Sequence, residues 1–557
     1  PIIWPLPLIA HILQVHFQVT TNYNMLAAKL ASPVQELIAR LESEKPTKAS
    51  EIVSILKDAD LAADDLADYA DFDHDPADSY GRKMVYKGAN YEIMVMSWPR
   101  GDFSAIHDHG HTVWGAVKIF GRAEHAVFRW EDEHLSTLAR WQTDVGDVLG
   151  VGHSLIHQMG NKDQPPFISL HVYGCPTPQE NITGEARIFD LKNEKIQRVN
   201  GGAFFNIPKS GLVKLEEGPR ADFPTQLRFI LESFKRASKA DSAQAEDFYK
   251  EAFSLEQRDR LLSHLQNITN PENGKAESSI QWRILNHELK EAAEIQAQIG
   301  AVQDEEDSFH KYAEVYDHVI GQASYDSFME SYLDFFVENY AYDFAKAETL
   351  SVGCGTGLIE EKIIQRYGGG ADSLYGIDVS ESMISEARKR IRADVGDLLT
   401  LDPRVKKWDM AFSGLNVYQY LPHNRLEESI RKTAAILREG GVFLGDFITP
   451  DHIRWYPNVM YSKDQRVVSL RTPELIEEDG VPYQRSEIVN ISFLSGQMNV
   501  HYAGRHLRHL PPVFRIRSYF EKYFRSGVDL YDAVHLTPIK ETDDSCKSTR
   551  YIVVARV

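Results

Sequence analysis

The sequence predicts a multidomain protein in which an all-β barrel with preceding helices is followed by a doubly wound α/β domain. Three observations carry that prediction. At 557 residues, the chain exceeds what one ordinary hydrophobic core supports. Between about Tyr80 and Arg198, short β-type runs such as "YEIMVMSW", "TVWGAVKIFG" and "FISLHVYG" alternate with Gly, Asp and Asn turns. From Ser308 to Val557, strand-like and helix-like segments alternate, which favours a parallel sheet.

Taken in order, residues 1–24 are apolar but broken by prolines and histidines, without the basic start of a secretory signal. They read as an extension or added remnant outside the fold, with a degenerate organelle-targeting segment as the other reading. From Met25 to about Asp73 the apolar spacing is helical, and the first domain is expected over 25–205. Residues 206–305 are helical and strongly charged, and are expected to form a connector. Residues 306–557 make the second domain, interrupted by an insertion at about 452–510. The net charge of −20 argues against a nucleic-acid partner, and no segment reads as a good membrane span. Three cysteines, Cys175, Cys354 and Cys546, argue against a disulfide framework and suit a reducing, cytoplasmic setting.

Chemistry concentrates first in "SAIHDHGHTVWGAVKIFG". His107 and His109 stand two apart in a run that reads as strand, where side chains at i and i+2 share a face. A third imidazole comes from "GVGHSLIHQMGN"; His157 is favoured over His153 because Asn161 follows it four residues on. Such an imidazole set suits iron, zinc or copper. The motif pair resembles the two cupin signatures, except that the place of the usual glutamate ligand falls on Val113 or Trp114.

Residues from about Met25 to Arg198 resemble cysteine dioxygenases, the iron-dependent thiol dioxygenase branch of the cupins. The resemblance implies Fe(II) held by His107, His109 and His157, with a thiol amino acid and O₂ as its small-molecule partners. In "YGRKMVY" it assigns Arg82 to the substrate carboxylate with Tyr80 beside it, and it makes Trp98 a pocket wall. In "SLHVY" it assigns a relay of Ser169, His171 and Tyr173, with Tyr173 positioning thiolate and oxygen. Some members carry a cysteine that crosslinks to this tyrosine, at the position taken here by Trp114, whose indole is expected to reshape the pocket. His111 and Cys175 are expected to be structural.

In the second domain, "AETLSVGCGTGLIEEKIIQ" reads as strand, glycine turn and helix, with Gly353, Gly355 and Gly357; Leu358 breaks the dinucleotide fingerprint. Asp378 ends the next strand, suitably placed for both hydroxyls of a ribose. Met383 follows against an adenine, and Asp397 lies in "VGDLLTLD". This order resembles class I S-adenosylmethionine-dependent methyltransferases. The resemblance implies S-adenosylmethionine as cofactor, with the glycines at its methionine half and Asp397 at the adenine amino group. The acid usual ahead of the glycines is replaced by Ser351, while Tyr312 and Tyr316 fall on the helix that closes over the cofactor. Arg454, Tyr456, Tyr461 and Tyr502 in the insertion suit a small anionic methyl acceptor.

The expectation is a bifunctional enzyme of sulfur amino-acid metabolism. One domain oxidises a cysteine-like thiol to its sulfinate, and the other methylates the product or a downstream amine. Two alternatives stand beside it: a three-histidine iron oxygenase for another small amino acid or thiol in a natural-product route, with Trp114 as the reason, and a non-catalytic cupin sensor attached to an active methyltransferase.

Overall fold

The computed structural model describes residues 30–75, 78–207, 209–299, 309, 312–369, 372–540 and 548–557. The segment 1–24 and Cys546 lie outside the described residues. The chain divides into two compact units, 1–252 and 253–557. Among the described residues no helix is long and apolar enough to cross a membrane.

In the first unit, two helices, Ser32–Glu44 and Ala49–Asp58, precede the strands. The strands are β1 (Gly81–Lys87), β2 (Tyr91–Trp98), β3 (Trp114–Ile119), β4 (Glu124–Glu131), β5 (His134–Gln142), β6 (Val148–Gly152), β7 (Ile156–Gly160), β8 (Phe167–Gly174), β9 (Ala186–Asp190), β10 (Lys195–Val199), β11 (Leu212–Glu217) and β12 (Arg220–Ala221). One sheet runs β1-β2-β8-β3-β6 and another β12-β5-β4-β7, with β11-β10-β9 as a third. β2 and β8 are buried along their whole length because both of their faces are covered. Ile93, Val95, Leu170 and Val172 pack with the helical Val34, Leu37, Ile52 and Leu56. The alternate residues Met94, Met96, Trp98, Phe167 and Tyr173 form the barrel interior.

In the second unit a seven-stranded sheet is formed by β13 (Thr349–Val352), β14 (Leu374–Asp378), β15 (Arg392–Val395), β16 (Trp408–Ser413), β17 (Leu437–Ile448), β22 (Val528–Asp532) and β23 (Arg550–Arg556). Its order is β15-β14-β13-β16-β17-β23-β22. The first five strands are parallel, β23 runs antiparallel to β17, and β22 runs antiparallel to β23 at the edge. Separate apolar cores cover its two faces, which accounts for unbroken apolar runs such as "YIVVA". Strand order reverses at β13, so the crevice at the carboxyl ends of β13 and β16 is where such a sheet receives a ligand.

Within the stretch 206–305, the described residues 209–299 do not form a separate connector. Its β11 pairs with β10, and helix Phe223–Lys239 packs on β5, where Thr225 bonds the Thr137 N–H at 2.9 Å. Beyond Phe253, helix Ser279–Ile299 lies on the other unit's β18 (Val459–Tyr461), β19 (Val467–Glu478), β20 (Val481–Ser492) and β21 (Asn499–His509), an antiparallel sheet ordered β18-β19-β20-β21. Trp282 donates to Thr472 at 3.0 Å, and Gln296 bonds the backbone of Met498 and Val500. The helices read as a connector because an apolar helix face does not say which sheet it covers.

Candidate active sites

The run containing His107 and His109 is not a strand; β3 starts only at Trp114. His107 instead makes isolated bridges to His157 and Ile188, exchanging backbone bonds of 3.0 and 2.9 Å with His157. Asp108 then pins a turn by accepting from the Arg187 and Gly110 N–H groups at 2.8 and 3.3 Å. Gly110 is in the left-handed region at φ 51°, where a Cβ would also come within 2.0 Å of the Gly184 carbonyl. This turn, and not strand alternation, brings His109 back beside His107.

His107, His109 and His157 each offer a nitrogen within 4.8 Å of the others. His109 Nε2 and His157 Nε2 are 3.1 Å apart. Burial, then the neighbouring imidazoles, hold His109 and His157 well below the ordinary histidine range, and burial lowers His107. The rings are therefore neutral donors. His107 Nδ1 bonds the Ala105 carbonyl at 2.8 Å, and His157 Nδ1 bonds His125 Nε2 at 2.7 Å. With protons on those Nδ1 atoms, both Nε2 atoms present lone pairs. The donor set fits a divalent transition ion such as iron, with no carboxylate in it. His153 is exposed and bonds the Thr112 carbonyl; His111 is also exposed.

Ser169, His171 and Tyr173 alternate on β8 and face the interior as expected of a period-two strand. The Trp98 indole donates to Ser169 Oγ at 2.8 Å, Ser169 meets His171 Nε2 at 2.7 Å, and His171 Nδ1 meets the Tyr173 hydroxyl at 2.8 Å. The Tyr173 ring is 5.4 Å from that of His109. Burial, reinforced by the Arg82 charge, lowers His171 to about 3, and burial raises Tyr173, so both stay neutral. Tyr80 stacks on Trp98 at 4.8 Å, and Arg82, half-buried on β1, reaches Thr183 at 3.2 Å.

Trp114 does not reshape this pocket. It packs with the helix-facing core, while Gly115 pairs with Tyr173 across the sheet. A Cβ on Gly115 would approach Tyr173 Cδ1 at 2.8 Å, so the place beside the tyrosine belongs to a glycine. Cys175 is buried and donates to the Thr177 carbonyl. His125 and Asp108 were missed in the sequence; the Asp between two histidines was the only local signal.

In the second unit, Gly353, Gly355 and Gly357 follow β13 at φ 70°, 54° and 74°, all left-handed. A Cβ on Gly355 would meet nothing within 4 Å, so the loop has an open face, whereas on Gly353 it would strike Val417 at 2.4 Å. Asp378 ends β14 and accepts from the Gly355 and Ser380 N–H groups at 2.9 and 3.0 Å. Met383 is buried on the next helix, and Asp397 caps a turn after β15 by accepting from Leu399 N–H. Tyr312 is buried against Tyr316, 5.5 Å between rings, and Asp317 accepts from Thr356 of the glycine loop at 2.5 Å. The open loop face and the flanking acid fit the nucleoside and amino-acid ends of S-adenosylmethionine. Ser351 donates to Glu360 at 2.7 Å, so the helix supplies a carboxyl where the strand has none. Burial pushes Glu360 up to about 7.

Of the residues expected to hold an acceptor, Arg454 is exposed and pairs with Asp451, and Tyr502 lies under Lys290. Tyr461 is half-buried; Tyr456 sits between Arg471 and Arg508.

Residues 21–184 match the family model Cysteine dioxygenase type I, and residues 349–441 match the model Methyltransferase domain. Human cysteine dioxygenase type 1 is 22% identical over 158 residues, covering 27% of this chain and 78% of that protein. Trans-aconitate 2-methyltransferase of Rhizobium etli is 34% identical over 99 residues, covering 17% of this chain and 35% of that protein. An S-adenosylmethionine-dependent methyltransferase structure from Clostridium acetobutylicum is 18% identical with a TM-score of 0.36, covering 45% of this chain and 98% of that one. With a three-imidazole barrel in one unit and a glycine loop at the switch point of the other, the chain joins a cysteine dioxygenase-like domain to a methyltransferase domain, both from enzyme families.

Proposed function

We propose that the chain is a bifunctional enzyme of sulfur amino-acid metabolism, an iron-dependent thiol dioxygenase joined to a small-molecule methyltransferase. The carrying observation is the convergence of three neutral imidazoles, with no carboxylate among them, beside Arg82 and Tyr173. Iron held by His107, His109 and His157 would supply the electron chemistry that lets O₂ react with a thiolate. Arg82 holds the substrate carboxylate in a charge-assisted pair and so fixes which end of the molecule reaches the imidazoles. Tyr80 and Trp98 wall the pocket. Tyr173 keeps its proton, and His171, donating to its oxygen from Nδ1, leaves that proton available to the bound thiolate or oxygen. Overall, the thiol sulfur gains both atoms of one O₂ and becomes a sulfinate, so no further reductant is consumed.

In the second unit, Asp378 would hold the ribose of S-adenosylmethionine, Met383 would lie against the adenine, Asp397 would take its amino group, and Gly353, Gly355 and Gly357 would admit the methionine half. S-adenosylmethionine bound there would supply an electrophilic methyl group for the acceptor's lone pair, the electron pair of the sulfonium C–S bond remaining on its sulfur. Alignment and exclusion of water are the protein's contribution. Mass spectrometry of products from a small thiol panel, with and without S-adenosylmethionine, tests the reading. A sulfinate formed only with iron and thiol is expected; thiols returned unchanged by iron-loaded protein would leave the sensor alternative instead.

A further inference from the structure

The antiparallel sheet of the methyltransferase unit carries a buried polar face where a core would be apolar. Register puts Ser469 and Arg471 of β19, Gln484, Ser486 and Asn490 of β20, and Arg508 of β21 on one side. All six are buried. From the same side Val467, Ile488 and Ala503 pack with Tyr312 and Met383, so this face looks toward the residues assigned to the cofactor.

Its polar atoms are left over. Nε and Nη2 of Arg471, Nε of Arg508, Nε2 of Gln484 and both amide atoms of Asn490 have no hydrogen-bond partner among the described residues. Arg471 Nη1 meets the thioether of Met460 and Arg508 Nη2 meets Ser486 Oγ at 3.3 Å, and the other side-chain partners of the two guanidiniums are the hydroxyls of Tyr312 and Tyr456. Arg471 and Arg508 are 1% and 5% exposed, and among the described residues neither is paired with a carboxylate. Nearby Arg550 shows the ordinary solution, a buried guanidinium matched to buried Asp446. Arginine does not escape burial by losing its proton, so two such charges facing neutral groups call for an anion from outside.

Tyr456 lies between the two, with the guanidinium carbons 5.5 and 5.0 Å from its ring. Burial alone would raise its hydroxyl, yet Arg471 and Arg508 outweigh burial and hold it below the ordinary tyrosine range. Tyr312, Tyr420 and His506 flank the two arginines, with Tyr420 on the exposed side.

We propose that Arg471 and Arg508, with Tyr456 between them, form the methyl-acceptor subsite, and that it takes a small acceptor bearing two anionic groups. The class includes dicarboxylates and amino-acid sulfinates; a sulfinate with its own carboxylate is what the barrel would release. The inference rests on reading this unit as a methyltransferase and names the acceptor class for it.

Calorimetric titration of the full chain, saturated with S-adenosylhomocysteine, tests this with L-cysteine sulfinate and L-aspartate against hypotaurine and L-alanine. Each dianionic probe has one more anionic group than its partner. At least one is expected to bind tenfold or more tightly than its single-anion counterpart, and which one tells whether sulfinate or a second carboxylate is preferred. Arg508→Gln and Arg471→Gln should each remove that preference, while Arg82→Ala leaves it, which separates this site from the barrel. Equal binding of single and double anions by the unaltered protein overturns the subsite, whether or not the variants fold. So does a preference surviving in Arg508→Gln that still binds S-adenosylhomocysteine. An unaltered protein that fails to bind S-adenosylhomocysteine defeats the methyltransferase reading itself, a different and recognisable result.

Discussion

Which nitrogen of His157 faces the other two imidazoles is decided at His125, whose Nε2 takes up His157 Nδ1 at 2.7 Å. Removing such an orienting partner typically weakens metal affinity about 10–100-fold. His125→Phe should therefore lower iron affinity by that order in a metal titration of the apoprotein, with the fold intact; unchanged affinity would mean that His125 only fills space. Arg82→Ala should cost about 2–5 kcal/mol in turnover of cysteine, the price of truncating one partner of a charge-assisted pair. Oxygen-uptake assays should show a far smaller loss on cysteamine, which has no carboxylate, and equal losses would remove Arg82 from carboxylate recognition. Residues of this kind differ in how readable they were. His107, His109 and Ser169 to Tyr173 stand in short local patterns. His125, Arg471 and Arg508 are brought in by strand pairing and packing over long sequence separations, and a lone His or Arg in a strand carries no mark of its partner.

At the level of elements, the glycine turn after β13 offers a graded test. Gly353→Ala combines a left-handed φ of 70° with a Cβ 2.4 Å from Val417, whereas Gly355→Ala, at φ 54°, meets nothing. Gly355→Ala should cost about 1 kcal/mol in urea denaturation from backbone strain alone, and Gly353→Ala distinctly more. Similar costs for the two would contradict the close approach to Val417. β21 offers a second test. Burial, with help from Arg508 at His506, lowers His506 and His509 to about 4. Unfolded histidines titrate near 6.5, so on acidification the unfolded chain takes up protons that the folded strand refuses, and stability falls as pH falls from about 6.5 toward 4. At pH 5 each group should cost about 2 kcal/mol relative to pH 7. Thermal melts should track this fall and His509→Gln should flatten part of it; a parallel fall in that variant would exclude His509. Element type followed well from sequence where periodicity was strong, as in β2, β8 and the β13 turn. It failed at His107 to His109, where a pinned turn imitates strand spacing, and over 206–305, where the helices belong to the sheets they cover.

Across the whole molecule, the residues proposed for each site come from one unit alone: His107, His109, His157, Arg82 and Tyr173 before residue 253, and Gly353, Asp378, Met383 and Asp397 after it. The two activities are therefore expected to be separable by mutation. Asp378→Ala should abolish S-adenosylmethionine binding while thiol oxidation continues near its original rate, since each ribose hydroxyl left unpaired in a closed site costs about 1–3 kcal/mol. His107→Ala should lose iron yet still bind S-adenosylmethionine. The most direct measurement is one incubation of the iron-loaded chain with cysteine, ¹⁸O₂ and methyl-deuterated S-adenosylmethionine, followed by mass spectrometry of all small products. The expected result is a sulfinate carrying two ¹⁸O atoms, its formation lost in His107→Ala, and a deuteromethylated small acid whose formation is lost in Asp378→Ala. A chain that binds iron and S-adenosylmethionine but incorporates neither label, or in which either substitution abolishes both products in a folded protein, would contradict the account.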